Sequence, residues 1–231
     1  MGKTIIITEH HTESEIYNYL YSLNETFFNQ RGSGLMKKYR RTVLKAKGDK
    51  YLLLNDYKIN NVTILLFGKM IKKSILFGTV FVININGKLF SYELRNPKRD
   101  GVDDTLLSKY TPHFFSRYNE RENINKSGIE LIKHFHTNNV KDVEIYKRLD
   151  YKGIKQIFVV FNQGVGLCKH FPITGGKIQI RSTYLSNDLL KSNQLMTTNE
   201  IIEIEKKEHK EELEYLKSRE REYHHSSMIT V

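Results

Sequence analysis

The sequence predicts an α+β protein with a small antiparallel sheet and helices packed on one face. A run rich in Ile, Val and Phe at residues 74–85 is joined to a second run at 88–94 by Asn86-Gly87, the strongest short signal for a β-hairpin. Further strand-like runs follow a helix that begins near Thr111. This order of elements suits a fold in which helices cover one side of an antiparallel sheet.

An N-terminal helical region precedes the predicted sheet. Thr12 and Glu15 have the spacing of a capping box, and apolar residues follow at helical spacing. The segment Arg31-Gly-Ser-Gly34 predicts a break in this helix. The strongly basic stretch at residues 35–47 is typical of a solvated helix face, although the same composition is also suited to contact with a phosphate backbone.

The helix that starts at Thr111 looks most like a functional site. Thr111 is a suitable N-cap, and Pro112 suits the first helical position. His113, Arg117 and Arg121 recur every four residues, so they share one helix face. A neutral imidazole beside two guanidinium groups can act as a general base that faces an anion site. A helix face of this composition is also common in basic proteins without any catalytic role.

The second half of the chain predicts one more helix and three strands. A capping-box pattern at Ser127 starts the helix, and strand-like runs follow at 154–161, 164–169 and 177–184. Strict alternation along the last run predicts one polar and one apolar face. The polar face then carries Lys177, Gln179, Arg181 and Thr183, and the apolar face carries Ile178, Ile180, Ser182 and Tyr184.

The C-terminal segment differs in charge from the rest of the chain. Residues 200–222 contain nine Glu against six Lys or Arg, a net charge of 6 − 9 = −3. This composition predicts a long charged helix, which suits a solvated helix, a self-association element or an arm on the basic surface. We therefore predict an N-terminal helical and basic region at 1–73, an α+β domain at 74–198 and a charged C-terminal helix at 199–231.

The overall composition favours anionic partners and argues against several kinds of site. The formal net charge is +11 and the sequence pI is about 9.5, as expected for a protein that binds nucleic acid or an anionic surface. Cys168 is the only cysteine, so no intramolecular disulfide and no thiolate-rich metal site is expected. No apolar run is long enough for a membrane span, and no metal-binding motif occurs. We expect a soluble, cytoplasmic protein without metal or cofactor.

Two short motifs resemble those of a known group of enzymes. The pattern His113-x-x-x-Arg117 on a helix, followed by a strand with Arg181-Ser-Thr-Tyr184, resembles the barnase, EndoU, colicin and RelE-like (BECR-type) metal-independent ribonucleases. The resemblance covers residues 74–194. It implies that His113 corresponds to the helix histidine of the group, and Arg117 to its basic partner. On the strand, Arg181, Thr183 and Tyr184 correspond to the cation, the hydroxyl and the aromatic residue.

The resemblance implies RNA cleavage by attack of the 2′-hydroxyl on the phosphodiester, as in a toxin or a defence nuclease. His113 would be the general base, Arg117 and Arg181 would stabilise the phosphorane, and Thr183 would orient the phosphate. The general acid is unassigned, with His170 or Lys169 as candidates. The predicted substrate-binding residues are Arg121, Ser182, Lys177 and Lys169.

Two other classes of function agree with the same sequence. A non-catalytic nucleic-acid-binding protein would use the same basic groove, with His113 as a contact only. A structural or partner-binding protein would interact through its acidic C-terminal helix, either with itself or with an inhibitory partner. Charge alone does not separate these classes.

Overall fold

The computed structural model describes residues 5–46, 51–71, 74–95, 106–139, 143–146, 157–174 and 176–186. The predicted C-terminal helix at 199–231 lies outside these residues. Within them, no helix is both long enough and apolar enough to cross a membrane. The elements are α1 (Glu13–Lys45), β1 (Leu52–Ile59), β2 (Val62–Ile71), β3 (Ser74–Ile85), β4 (Lys88–Arg95), β5 (Leu106–Tyr110), α2 (Pro112–Arg121), α3 (Gly128–Asn138), β6 (Val143–Tyr146), β7 (Ile157–Val160), β8 (Gly164–Ile173) and β9 (Gly176–Ser186).

The strands of the described residues form one mixed sheet of nine strands, in the order β1-β2-β3-β4-β5-β9-β8-β7-β6. All neighbours are antiparallel except β5 and β9, which are parallel. The predicted small antiparallel sheet is therefore wrong. β1 and β2 belong to the same sheet, and β2 pairs with β3 across the predicted domain boundary at residue 73. Local sequence patterns predict strands but not their partners, because pairing depends on contacts between distant residues.

Helices cover both faces of the sheet, so the prediction that they pack on one face is also wrong. Successive side chains of a strand point to opposite faces, and each face of the central strands is apolar. The α1 side of the sheet contributes Val62, Ile64, Leu66, Phe81, Ile83, Tyr92, Leu107 and Ile178 to one core. The side covered by α2 and α3 contributes Leu65, Phe67, Val80, Val82, Tyr110, Cys168 and Tyr184 to the other.

The N-terminal helix begins as predicted but does not break. The Thr12 hydroxyl accepts a hydrogen bond from the Glu15 amide at 3.3 Å, and the Glu15 carboxylate accepts one from the Thr12 amide at 2.7 Å, which confirms the capping box. α1 then continues through Gly32 and Gly34 to Lys45. Burial holds it against the sheet on both sides of the two glycines, through Phe27, Leu35, Tyr39 and Val43.

Three local predictions are confirmed. β3 and β4 form a hairpin in which Asn86 has φ 52° and Gly87 has φ 79°, the positive values that a two-residue hairpin turn requires. α2 begins at Pro112, and the Thr111 hydroxyl accepts a hydrogen bond from the Phe114 amide at 3.2 Å. α3 begins after Ser127 as predicted, but the predicted capping box is wrong, because the Ser127 side chain makes no capping hydrogen bond.

Candidate functional site

The row of basic residues on α2 is only partly available to a ligand. His113 is exposed, and the Arg117 side chain is 40% exposed while it pairs with Glu120 at 2.7 Å. The Arg121 guanidinium instead donates a hydrogen bond to the backbone carbonyl of Tyr184 and fixes the end of α2 to β9. His113 and Arg117 are therefore the two members of the row that face solvent.

Arg181 lies inside the protein and not in a groove. Its side chain has no solvent exposure, and its guanidinium lies 4.6 Å from the centre of the Tyr110 ring. Nε donates to Oε1 of Gln179 at 2.9 Å, and Nη2 donates to Oγ of Ser108 at 3.2 Å. Nη1 donates to the Tyr110 hydroxyl. An RNA phosphate cannot reach this guanidinium in the conformation described.

A β-bulge at Ser182 changes the alternation that the sequence predicts for β9. Arg181 pairs with Cys168 and Thr183 pairs with Leu167, so Ser182 is the extra residue. Because of the bulge, Arg181 and Tyr184 point to the same face, under α2, whereas Thr183 points to the opposite face. The Ser182 hydroxyl donates to the Leu167 carbonyl at 3.3 Å.

The structure does not bring the four predicted catalytic residues together. His113 and Arg117 lie on the outer side of α2, Arg181 is buried beneath the helices, and Thr183 lies on the other face of the sheet. Two of the predicted substrate-binding residues, Lys169 and Lys177, are exposed. They pair with Ile180 and Pro172 in the β8–β9 ladder. The imidazole of His170, a candidate for the general acid, accepts a hydrogen bond at Nε2 from the side-chain amide of Gln179 at 2.8 Å.

Arg181 belongs to a series of hydrogen-bonded side chains that crosses four strands under α2 and α3. The register explains why these residues meet, since Glu93 pairs with Ser108, which pairs with Gln179. Polar residues at every second position of β4 were the available sequence signal for this series. We call the series the buried polar chain; in order it contains His170, Gln179, Arg181, Tyr110, Glu93, His136 and Ser91.

One end of the buried polar chain joins a carboxylate, an imidazole and a serine hydroxyl. The Tyr110 hydroxyl donates to Oε2 of Glu93 at 3.0 Å, and Nδ1 of His136 lies 2.9 Å from Oε1 of Glu93. Nε2 of His136 lies 3.0 Å from the Ser91 hydroxyl. Ser, His and Glu in this order resemble the connectivity of a catalytic triad. Ser91 has no solvent exposure, however, so its hydroxyl is not accessible to a substrate.

A pocket of about 210 Å³ opens beside Glu93 and His136. It lies on the α3 side of the sheet, beside the middle of β2 and β3 and the C-terminal part of β4. Its walls combine aromatic rings with a few polar groups. The lining residues are Tyr51, Phe67, Gly78, Thr79, Val80, Glu93, Leu94, Tyr110, His136 and Asn139.

Two tyrosines between α2 and β9 remain protonated far above neutral pH. Burial raises the pKa of Tyr118 to about 12. Burial and the neighbouring Glu122 carboxylate raise the pKa of Tyr184 well above its usual value, and the Tyr184 hydroxyl donates to Glu122 at 2.8 Å. Both rings pack in the core, so they act as structural donors and not as a surface for base stacking.

Positive charge is concentrated in the second half of α1. From Thr26 to Ala46 the sequence contains six Lys or Arg and no Asp or Glu. Leu35, Tyr39 and Val43 face the sheet, which leaves the cations on the outer side of the helix. We call this surface the basic face of α1; it consists of Lys37, Lys38, Arg40, Arg41 and Lys45, all of them exposed.

In the described part of the chain, no group of three or more His, Cys, Asp or Glu side chains is arranged to hold a metal ion. Three surfaces are candidates for a functional site: the outer side of α2, the pocket beside Glu93 and the basic face of α1. Comparisons with family models, with curated proteins and with solved structures found no match to this chain.

Proposed function

We propose that this protein binds nucleic acid through the basic face of α1, with RNA as the partner that the ribonuclease resemblance implies. The observation that carries the proposal is the five exposed cations of this surface, with no acidic residue between Thr26 and Ala46. Lys and Arg on one helix face neutralise phosphates and release their counterions, which is the main source of affinity for a nucleic acid backbone.

The arrangement of these charges is unfavourable for the helix by itself. Lys37, Arg41 and Lys45 follow one another at intervals of four residues, so they repel each other along one side of α1. Each such pair destabilises a helix by about 0.2–0.5 kcal/mol. Glu at one of these positions would relieve the repulsion, as would a bound phosphate.

The first half of the same helix provides the contrast. It carries Glu13, Glu15 and Glu25, and its N-terminal end is tied to the sheet by an ion pair between Glu13 and Lys109. The charge of α1 is therefore not uniform: its acidic residues lie before Thr26, and the six Lys or Arg residues of its second half lie after Gln30. This separation supports an anion-binding role for the second half.

The test compares two triple variants with the same net charge. One variant carries Lys37→Gln, Arg41→Gln and Lys45→Gln on α1; the control carries Lys58→Gln, Lys88→Gln and Lys126→Gln, which remove exposed cations elsewhere. Affinity for a labelled single-stranded RNA is measured by fluorescence anisotropy at several salt concentrations. Each phosphate contact with a single strand contributes about 0.7 to the magnitude of the slope of log K against log[salt]. Because the α1 variant lacks three cations, we expect the magnitude of its slope to be lower by about 2. A wild-type slope near zero, or equal losses in both variants, would contradict the proposal.

RNA cleavage is the second candidate function, and the exposure of His113 favours it. His113 lies in the first turn of α2 and Arg117 lies one turn further along the same face, so both can reach one phosphodiester. His113 would take the proton of the 2′-hydroxyl as its oxygen attacks phosphorus, and Arg117 would stabilise the negative charge that develops on the phosphate. The bond from phosphorus to the 5′-oxygen would break, and the 5′-oxygen would take its proton from water. Arg181 and Thr183 have no part in this version of the site.

Cleavage is tested with labelled RNA in EDTA. We expect the wild type to cleave and His113→Ala to cleave at least 100-fold more slowly, since a general base usually contributes about 10²–10⁴ in rate. Ser116→Ala, on the exposed side of the same helix, is the control and should cleave at the wild-type rate. If the wild type does not cleave, or if His113→Ala cleaves at the wild-type rate, this candidate is excluded while the binding proposal stands.

A further inference from the structure

We propose that the RNA bound by the basic face of α1 is a single strand, and that the guanidinium of Arg31 stacks on one of its bases. This inference rests on the proposed function, because it names the form of nucleic acid that the same surface binds. Arg31 is not one of the five cations of the basic face. Its position next to two aromatic rings points to contact with a base.

The guanidinium of Arg31 packs against the rings of Phe27 and Tyr57. Its Cζ atom lies 5.3 Å from the centre of the Tyr57 ring and 5.9 Å from the centre of the Phe27 ring. The two rings themselves meet edge to face at 5.1 Å. Arg31 follows Phe27 by one helical turn, and Tyr57 points from β1 toward α1. Attraction between the cation and the rings therefore holds the guanidinium in place.

This packing leaves the donors and the outer surface of Arg31 available to a ligand. Arg31 is exposed, and within the part of the chain that the structure describes no carboxylate pairs with it. Asp56, the acidic neighbour of Tyr57 in β1, points to the other face of the sheet and pairs with Lys133 at 2.9 Å. A guanidinium is planar, so it can stack on a base while its N–H groups reach the adjacent phosphate.

Arg31 lies in line with two cations of the basic face. Lys38 follows it by seven residues and Lys45 by fourteen, so the three side chains share one side of α1. At a rise of about 1.5 Å per residue, successive members are about 10 Å apart along the helix axis. The pKa of Lys38 is raised, chiefly by a hydrogen bond with Tyr39 and also by the nearby Tyr57. A strand that follows the basic face would therefore pass beside Arg31.

Stacking on a base decides between a single strand and a duplex. In a duplex the bases stack on one another, whereas the bases of a single strand can turn outward and stack on an arginine. Charge alone would favour the duplex, because each of its phosphate contacts contributes about 0.9 to the salt slope, against about 0.7 for a single strand. A preference for the single strand therefore reports contact with bases and not with charge.

The probe is a short labelled oligouridine with 2′-O-methyl groups, which prevent cleavage by 2′-hydroxyl attack. Fluorescence anisotropy gives the affinity of the full-length protein for this strand, for its duplex with oligoadenosine, and for a strand of the same length without bases. We expect the oligouridine to bind at least about fivefold more tightly than the other two. A duplex or a baseless strand that binds as tightly as the oligouridine would overturn the proposal.

Arg31→Lys separates stacking from charge, because lysine keeps the positive charge but lacks the planar group. We expect this variant to bind the oligouridine about tenfold more weakly than the wild type, with the same slope of log K against log[salt]. Both proteins should bind the baseless strand equally. Wild-type affinity of the variant for the oligouridine, or an equal loss for both strands, would show that Arg31 does not stack on a base.

Tyr57→Leu tests the ring that holds Arg31 in place. We expect weaker binding of the oligouridine, and circular dichroism confirms that the variant is folded. Tyr21→Leu is the control and should keep the wild-type affinity, because Tyr21 is another half-buried tyrosine packed against the same core. Unchanged affinity in folded Tyr57→Leu would overturn the stacking. A wild-type salt slope near zero for all three probes would instead contradict nucleic-acid binding by the basic face, and the stacking with it.

Discussion

At the scale of single residues, Arg181 shows how a charged side chain is accommodated in a core. A buried guanidinium is costly unless its donors are satisfied. Here Gln179, Ser108 and Tyr110 accept its hydrogen bonds, and Tyr110 in turn donates to the Glu93 carboxylate. The positive and negative groups are thus connected through one tyrosine hydroxyl. Arg181 organises the packing of β4, β5 and β9 and is not exposed to a ligand.

We predict that Arg181→Ala lowers the free energy of unfolding by about 3–5 kcal/mol, the usual cost of breaking a buried charged network. The variant leaves Gln179, Ser108 and Tyr110 with fewer hydrogen bonds and creates a cavity. Arg117→Ala, which removes an exposed arginine, should change stability by no more than about 0.5 kcal/mol. Urea denaturation followed by circular dichroism measures both. Equal losses in the two variants would show that Arg181 has no special structural role.

The positions of the predicted site residues followed only partly from the sequence. The position of His113 on the first turn of α2 follows from Thr111 and Pro112, which are local signals. The position of Arg181 depends on the bulge at Ser182 and on the partners of β9. Strict alternation along β9 includes neither the bulge nor the pairing partners, so it predicted that Arg181 and Thr183 lie on one face.

Among the secondary-structure elements, α1 is a helix that tertiary packing keeps continuous although its glycines predict a break. Two glycines in a helix interior each cost about 1 kcal/mol relative to alanine, which is why Gly32 and Gly34 suggested a break. Phe27 lies before them and Leu35 and Tyr39 lie after them, all buried against the same sheet. Burial of each large apolar side chain contributes about 1.5–3 kcal/mol, so the continuous helix is favoured.

Because α1 is continuous, we can predict whether a glycine substitution within it raises or lowers the free energy of unfolding. Gly34 is exposed, and a Cβ atom there would meet nothing within 4 Å. We expect Gly34→Ala to raise the free energy of unfolding by about 0.5–1 kcal/mol. Gly87→Ala is the matched control and should lower it, because Gly87 has φ 79° in the β3–β4 turn. Destabilisation by Gly34→Ala in urea denaturation would contradict a regular helix at this point.

Elements with local signals were predictable, and the arrangement of the sheet was not. The Thr12 capping box, the Asn86-Gly87 turn and the Thr111 cap each depend on residues close in sequence. The parallel pairing of β5 with β9 joins residues 106–110 to 177–181, and no short motif specifies it. For the same reason the sequence did not show that helices cover both faces.

At the scale of the whole molecule, the two cores on opposite sides of the sheet both contain protonated tyrosines. Tyr92 belongs to the α1 side, and burial raises its pKa well above the usual value. Tyr118 and Tyr184 belong to the other side, where burial also raises the pKa of each hydroxyl. In the unfolded chain all three would ionise near pH 10. The free energy of unfolding should therefore change with pH in the alkaline range.

We predict that the free energy of unfolding falls as the pH rises above about 10. The pKa values of these tyrosines are higher in the folded state, so above pH 10 the unfolded chain holds fewer protons and becomes favoured. For Tyr118 this contribution is present below about pH 10 and is lost by about pH 12. Urea midpoints between pH 8 and 11.5, with tyrosinate absorbance at 295 nm, provide the measurement. Tyr118→Phe should show a shallower decline, and a constant midpoint in the wild type would contradict the prediction.

The parallel pair at the centre of the sheet also affects how the protein is made. β5 leaves the ribosome long before β9, since α2, α3, β6, β7 and β8 lie between them in the chain. At synthesis rates of about 5–20 residues per second, the growing chain carries a β5 strand without its second neighbour for several seconds. An open strand edge is a template for wrong pairing with other chains. Nascent chains that stop before residue 176 should therefore be the species most dependent on chaperones.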